Sequence, residues 1–172
     1  MVDIPPIFTV SDVREIGLLL QAEVPSVVVT QSGAIIESYD FGVESLVSNS
    51  AAFIRGSVVA NHQGITFGSG ATTGEKIVVY EGGSVSSIAA GYGALAITGN
   101  NSSITNAGLV SGADYGIYFD TQTDDGGKSQ VLNTGTVSSD KYGIYALGHQ
   151  ELDIKNAGII SGKTASFYEF QD

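Results

Sequence analysis

The chain has 172 residues, is rich in glycine at 23, contains no cysteine or tryptophan, and carries a formal net charge of −11 with only 15% charged residues. So acidic a chain would repel a phosphate backbone, which argues against nucleic acid as a partner. The lack of cysteine excludes a disulfide framework and thiolate metal sites. No apolar run of about 18 residues reads as a membrane-spanning helix, and the length fits one domain with a real core.

At the start of the chain, Pro5-Pro6 forbids helix and favours an extended lead-in. Met1 to Pro6 shows neither the basic region nor the apolar core of a signal peptide. Next comes a helical signal. Ser11 or Asp12 can cap, Glu15 completes a capping pair, and Val13, Ile16 and Leu20 share one face at helical spacing. Gly17 weakens this helix by about 1 kcal/mol, and Pro25 ends it. The pattern predicts a short helix over 7–22 that covers the open end of a strand-rich body. Residues 1–25 are thus a lead-in and cap, and 26–172 the main body.

From Ser26 the pattern is strand and turn, and it repeats. Ile104-Thr105-Asn106-Ala107-Gly108-Leu109-Val110-Ser111 leads to Gly116-Ile117-Tyr118. Leu132-Asn133-Thr134-Gly135-Thr136-Val137-Ser138 leads to Gly143-Ile144-Tyr145, and Ile154-Lys155-Asn156-Ala157-Gly158-Ile159-Ile160-Ser161 leads to Ser166-Phe167-Tyr168. The asparagines recur after 27 and then 23 residues. Weaker versions run through Gly33, Gly56 and Gly83. A period in the twenties is the mark of a solenoid. The chain is therefore expected to be all-β, a single-stranded parallel β-helix of about six coils with the short N-terminal helix as cap. Ile117, Ile144 and Phe167 should stack inside, and Tyr118, Tyr145 and Tyr168, one residue on, should face out. Thr66–Lys76 and Asp120–Ser129 read as loop insertions. The last pass carries no closing element, so self-association through the C-terminal coil, or continuation in a longer protein, is expected.

Several groups are candidates for chemistry. Asn106, Asn133 and Asn156 form a polar column, favoured as an internal amide ladder over a ligand site. Tyr118, Tyr145 and Tyr168 are the candidate ligand-binding set, for a glycan or a protein, although a cross-strand stack is the favoured reading of the column. Tyr92, Tyr115 and Tyr142 form a second column at a corner. Asp114 and Asp140 lie one coil apart and are the weak catalytic candidates, with Lys141 and Lys163 nearby to offset their charge. Asp120, Asp124 and Asp125 with Gly126-Gly127 form an acidic loop that could supply oxygens to calcium, the one cofactor considered. His62 and His149 have no partner at metal spacing.

The Ile-x-Asn-x-Gly-x-Ile-Ser-Gly phrase followed by Tyr-Gly-Ile resembles the repeats of large secreted bacterial β-helix proteins, such as autotransporter passenger regions and hemolysin-type calcium-binding shafts. The resemblance is clear over 104–168 and weak over 26–170. It implies a secreted or surface-exposed modular protein. The Gly-Gly-x-Gly-x-Asp nonapeptide is absent, so that kind of calcium site does not carry over. The expected function is a non-enzymatic structural or interaction module, with a carbohydrate-active β-helix enzyme as the alternative.

Overall fold

Runs of four or so β-branched residues, cut by glycine turns, cannot bury an apolar face alone; stacked one above another they can. The computed structural model shows that arrangement over residues 7–69, 71–121, 127–148 and 151–170, which are the residues described. Three 7-stranded sheets run the length of the molecule, and every strand pair within them is parallel. The first sheet is built from Ile7–Val10, Ser26–Val29, Ala51–Ile54, Lys76–Val79, Ser103–Asn106, Lys128–Asn133 and Glu151–Asn156. These strands number coils 1 to 7. Each coil then gives one strand to the second sheet and one to the third before rising to the next.

Alternation within each short strand sends every second side chain into the shaft, and parallel register sets like above like. On the first sheet one inward column is Phe8, Val27, Ala52, Ile77, Ile104, Val131 and Ile154. On the second it is Ile35, Val58, Val85, Val110, Val137 and Ile160. On the third, Val43, Ile65, Leu95, Ile117, Ile144 and Phe167 follow one another. Most of these are completely buried, each contributing about 1.5–3 kcal/mol of transfer free energy. Ile117 and Ile144 stack inside as expected, whereas Phe167 keeps their register but is exposed.

The helix expected over 7–22 is absent. Those residues form coil 1 instead, from Ile7–Val10, Val13–Arg14 and Leu18–Leu20. The three residues that shared a helical face are split: Leu20 is 5% exposed, whereas Val13 and Ile16 are 59% and 64% exposed. Pairing explains the outcome. A lone short helix would leave the edges of coil 2 bare, while strand register Ile7↔Ser26 through Val10↔Val29 satisfies them. Gly17, a defect in a helix, here donates its N–H to Glu37 Oε2 at 2.7 Å in the next coil.

Coil 1 has one departure from the columns. Arg14 takes the inward place beneath Ile35, and its guanidinium lies 4.7 Å from the centroid of the Phe8 ring. In coil 7, Leu152, Ile154 and Ile160 are only partly buried, and Phe167 is 43% exposed.

Candidate ligand-binding face

The Tyr-Gly-Ile-Tyr phrase is a corner followed by a strand. A Cβ on Gly116 would lie 2.5 Å from both the Gly143 carbonyl oxygen and Val137 Cγ1, so the corner admits only glycine where another coil packs against it. Ser166 holds the equivalent place in coil 7 and is exposed. Past the corner, alternation sends Ile117 inward and Tyr118 outward.

The outward column on the third sheet runs Leu19, Glu44, Thr66, Ala96, Tyr118, Tyr145, Tyr168. The last three rings stack. Tyr118 and Tyr145 have centroids 6.0 Å apart at 12°, and Tyr145 and Tyr168 are 5.2 Å apart at 9°. Tyr115 and Tyr142 stack beside them at 6.0 Å and tilt against Tyr118, Tyr145 and Tyr168 at centroid distances of 4.9–5.4 Å. Five rings thus form one ladder. The Tyr118 column and the Tyr115–Tyr142 part of the second are there, interleaved rather than separate. Tyr92 leaves its column and stacks on His62 at 4.2 Å, which in turn faces Phe41 and holds Asp40 Oδ1 at 3.2 Å from its Nδ1.

Stacking decides what the ladder can offer. Rings that cover one another present edges and hydroxyls to solvent, not faces. One face is different. In register below Tyr118 stands Ala96, so the ladder stops there on a step. Tyr118, Tyr115, Tyr92, Gln63 and Gly91 line a cleft of about 190 Å³ at that step. The Tyr118 hydroxyl donates to Asp120 Oδ2 at 3.1 Å. Burial, and then the charge and hydrogen bond of Asp120, push the Tyr118 phenol well above its ordinary range; burial raises Tyr145 as well.

The acids fall elsewhere. Asp114 is buried and its Oδ2 accepts from Lys141 Nζ at 2.6 Å; Asp140, exposed, accepts from Lys163 at 2.6 Å. Each aspartate holds the lysine of the coil above, and the pairing raises the Lys141 ammonium above its ordinary range. A groove beside Asp140 is lined by Ser87, Ile88, Ser111, Gly112, Ala113, Ser138 and Ser139, with Asp140 as its one acid. Two-carboxylate glycoside chemistry needs a second. Asp120 is taken by Tyr118, while Asp124, Asp125 and His149 lie outside the described residues. Among the described residues no cluster of three or more His, Cys, Asp or Glu forms a metal site.

No protein-family model, curated protein or solved structure matches the chain.

Proposed function

We propose that this solenoid is a non-enzymatic interaction module that uses the tyrosine edge of its third sheet to hold a glycan. It would serve as the shaft of a secreted or surface-exposed bacterial protein of the autotransporter-passenger or hemolysin-type kind that its repeats resemble. The observation that carries the reading is the cleft at the foot of the ladder. Tyr118, Tyr115 and Tyr92 line it, with Gln63 adding an amide. A sugar ring lays its C–H face on an aromatic ring and needs a few polar groups for its hydroxyls. The engagement of Asp114 and Asp140 by Lys141 and Lys163 supports a binding rather than a hydrolytic role.

A glycan screen followed by calorimetry tests this. Neutral glycans should bind the wild-type chain, Tyr118→Ala should weaken binding by about tenfold or more, and Tyr168→Ala should leave it unchanged. Equal binding by Tyr118→Ala, or turnover of a bound polysaccharide, would sink the reading. Binding of a protein through the same tyrosines would replace the glycan. Self-association through coil 7 fits the partial exposure of Ile154, Ile160 and Phe167, and light scattering over a concentration series reads it directly.

A further inference from the structure

The loops from the third sheet to the first meet at one corner of the shaft. Alternation continues past the strand ends there, so the residue two before each inward position also points in. In coils 3 to 6 these residues are Ser50, Glu75, Ser102 and Ser129, and all four are buried. Glu75 is 0% exposed.

The surroundings of Glu75 are oxygens. Its Oε2 accepts from Ser102 Oγ at 2.5 Å. That hydroxyl also stands 3.1 Å from the Asn100 carbonyl and 3.5 Å from the Gly99 carbonyl, yet it has a single proton to give. Thr72 Oγ1 faces the same place: a Cβ on Gly99 would collide with Glu75 Oε2 and lie 2.7 Å from Thr72 Oγ1. Glu75 Oε1 is sealed from solvent and has no hydrogen-bond partner. No ion pair reaches Glu75 among the described residues. The neighbouring Lys76 points outward, with its ammonium near the Phe53 ring. The Asn100 carbonyl also accepts from Gly74 N–H at 2.9 Å and Thr72 Oγ1 from Ser69 N–H at 3.2 Å, each oxygen keeping a lone pair. A buried carboxylate is tolerated when a cation or a full set of donors meets it; Glu75 Oε1 has neither among the described residues.

We propose that Glu75 anchors a hard cation inside this corner, with Ser102 Oγ, Thr72 Oγ1 and the carbonyl oxygens of Gly99 and Asn100 as its neutral ligands. Carboxylate, hydroxyl and carbonyl oxygens without nitrogen or sulfur suit calcium or sodium. Magnesium, which gives up water reluctantly, fits a dry corner poorly. The site shares no residue with the tyrosine cleft. A cation here would tie the loop leading from coil 3 to coil 4, through Thr72 and Glu75, to the loop leading from coil 4 to coil 5, at Gly99, Asn100 and Ser102.

The test is thermal unfolding of the full chain, stripped with EDTA and held at fixed ionic strength with choline chloride. Calcium, sodium and magnesium are then added separately. Calcium or sodium should raise the wild-type midpoint by about 5 °C or more, and which ion does so identifies the occupant. Glu75→Gln should lose that rise, and in the cation-free buffer it should melt above the wild type, because a neutral amide replaces an uncompensated charge. Asp124→Asn/Asp125→Asn should keep the rise in full. Equilibrium dialysis of the wild type with radioactive calcium or sodium should give one ion per chain, which keeps the test decisive if Glu75→Gln does not fold. A wild-type midpoint indifferent to every cation overturns the proposal. So does a rise retained by Glu75→Gln, or one lost in the Asp124/Asp125 variant.

Discussion

Asn106 donates its side-chain amide to Asn133 Oδ1 at 2.8 Å, one coil up, and both side chains are completely buried. Asn133 repeats the bond to Asn156 at 2.8 Å. The ladder continues a column that is aliphatic in coils 1 to 4, through Val10, Val29, Ile54 and Val79. Each rung also binds its own turn, as when Asn106 Oδ1 accepts from Gly108 N–H at 3.1 Å. Asn133→Ala would leave the Asn106 amide and the Asn156 carbonyl without their mate. Urea unfolding should show a loss of about 2–4 kcal/mol. Asn156→Ala, at the exposed end of the ladder, should cost about 1 kcal/mol or less.

The glycine of the Asn-x-Gly phrase is set by close approach. A Cβ on Gly135 would overlap the Gly108 carbonyl oxygen, and one on Gly158 would overlap that of Gly135. The carbonyl belongs to the backbone of the coil below and cannot swing aside. Gly135→Ala should therefore cost about 3 kcal/mol or more, measured by the same unfolding curves. Retention of wild-type stability would mean that neighbouring coils stand farther apart than this contact requires.

Tyr145 touches four rings of the ladder: Tyr115, Tyr118, Tyr142 and Tyr168. Removing it breaks the ladder in the middle, and Tyr145→Ala should lower stability by about 3 kcal/mol. Tyr168→Ala removes an end ring and should cost about 1 kcal/mol. The contrast with Tyr118 separates the two roles of the column. Glycan affinity should follow Tyr118, and stability should follow Tyr145.

What could be read from the sequence was what repeats in register. The asparagine column, the inward Ile117 and Ile144, and the outward tyrosines were legible because coils 5 to 7 keep equal spacing from turn to strand. Coil 1 was not. Its second strand, Val13–Arg14, is two residues long, and its inward residue is an arginine, so no alternation marks it. The apolar residues that remained matched a helix by chance. Glu75 was hidden for a related reason. It stands in phase with Ser102 and Ser129, but the phase extends beyond the strands into a loop where alternation is not normally counted. Interleaving of the two tyrosine columns comes from side-chain reach across the corner, which spacing does not encode.

Acid should weaken the first two coils. Glu37 accepts backbone N–H groups from Tyr39 at 2.9 Å and Gly17 at 2.7 Å, and these bonds hold its carboxyl below the ordinary value of 4.5. A depressed folded value means stability that is present above pH 4.5 and is lost as pH falls through the lower folded value. Hydrogen exchange at Gly17 and its neighbours should rise in that window, and Glu37→Gln should remove the pH dependence while leaving coils 5 to 7 unaffected.

Alkali should act at the other end of the molecule. The Tyr118 phenol is raised above the ordinary value of 10.0 by burial and by Asp120. In the unfolded chain it ionises at the ordinary pH, so its contribution is complete below pH 10.0 and is lost as pH rises toward the folded value. The Lys141 ammonium, raised by Asp114, changes in the same direction, so the two must be separated by mutation. Tyr118→Phe keeps the ring in the ladder and deletes the titrating group. Its unfolding free energy should fall less steeply than that of the wild type above pH 10.0, and absorbance titration of the folded wild type should show delayed phenol ionisation, part of which Tyr118→Phe removes. An identical slope in Tyr118→Phe would assign the alkaline loss to the Lys141–Asp114 pair and Tyr145 instead.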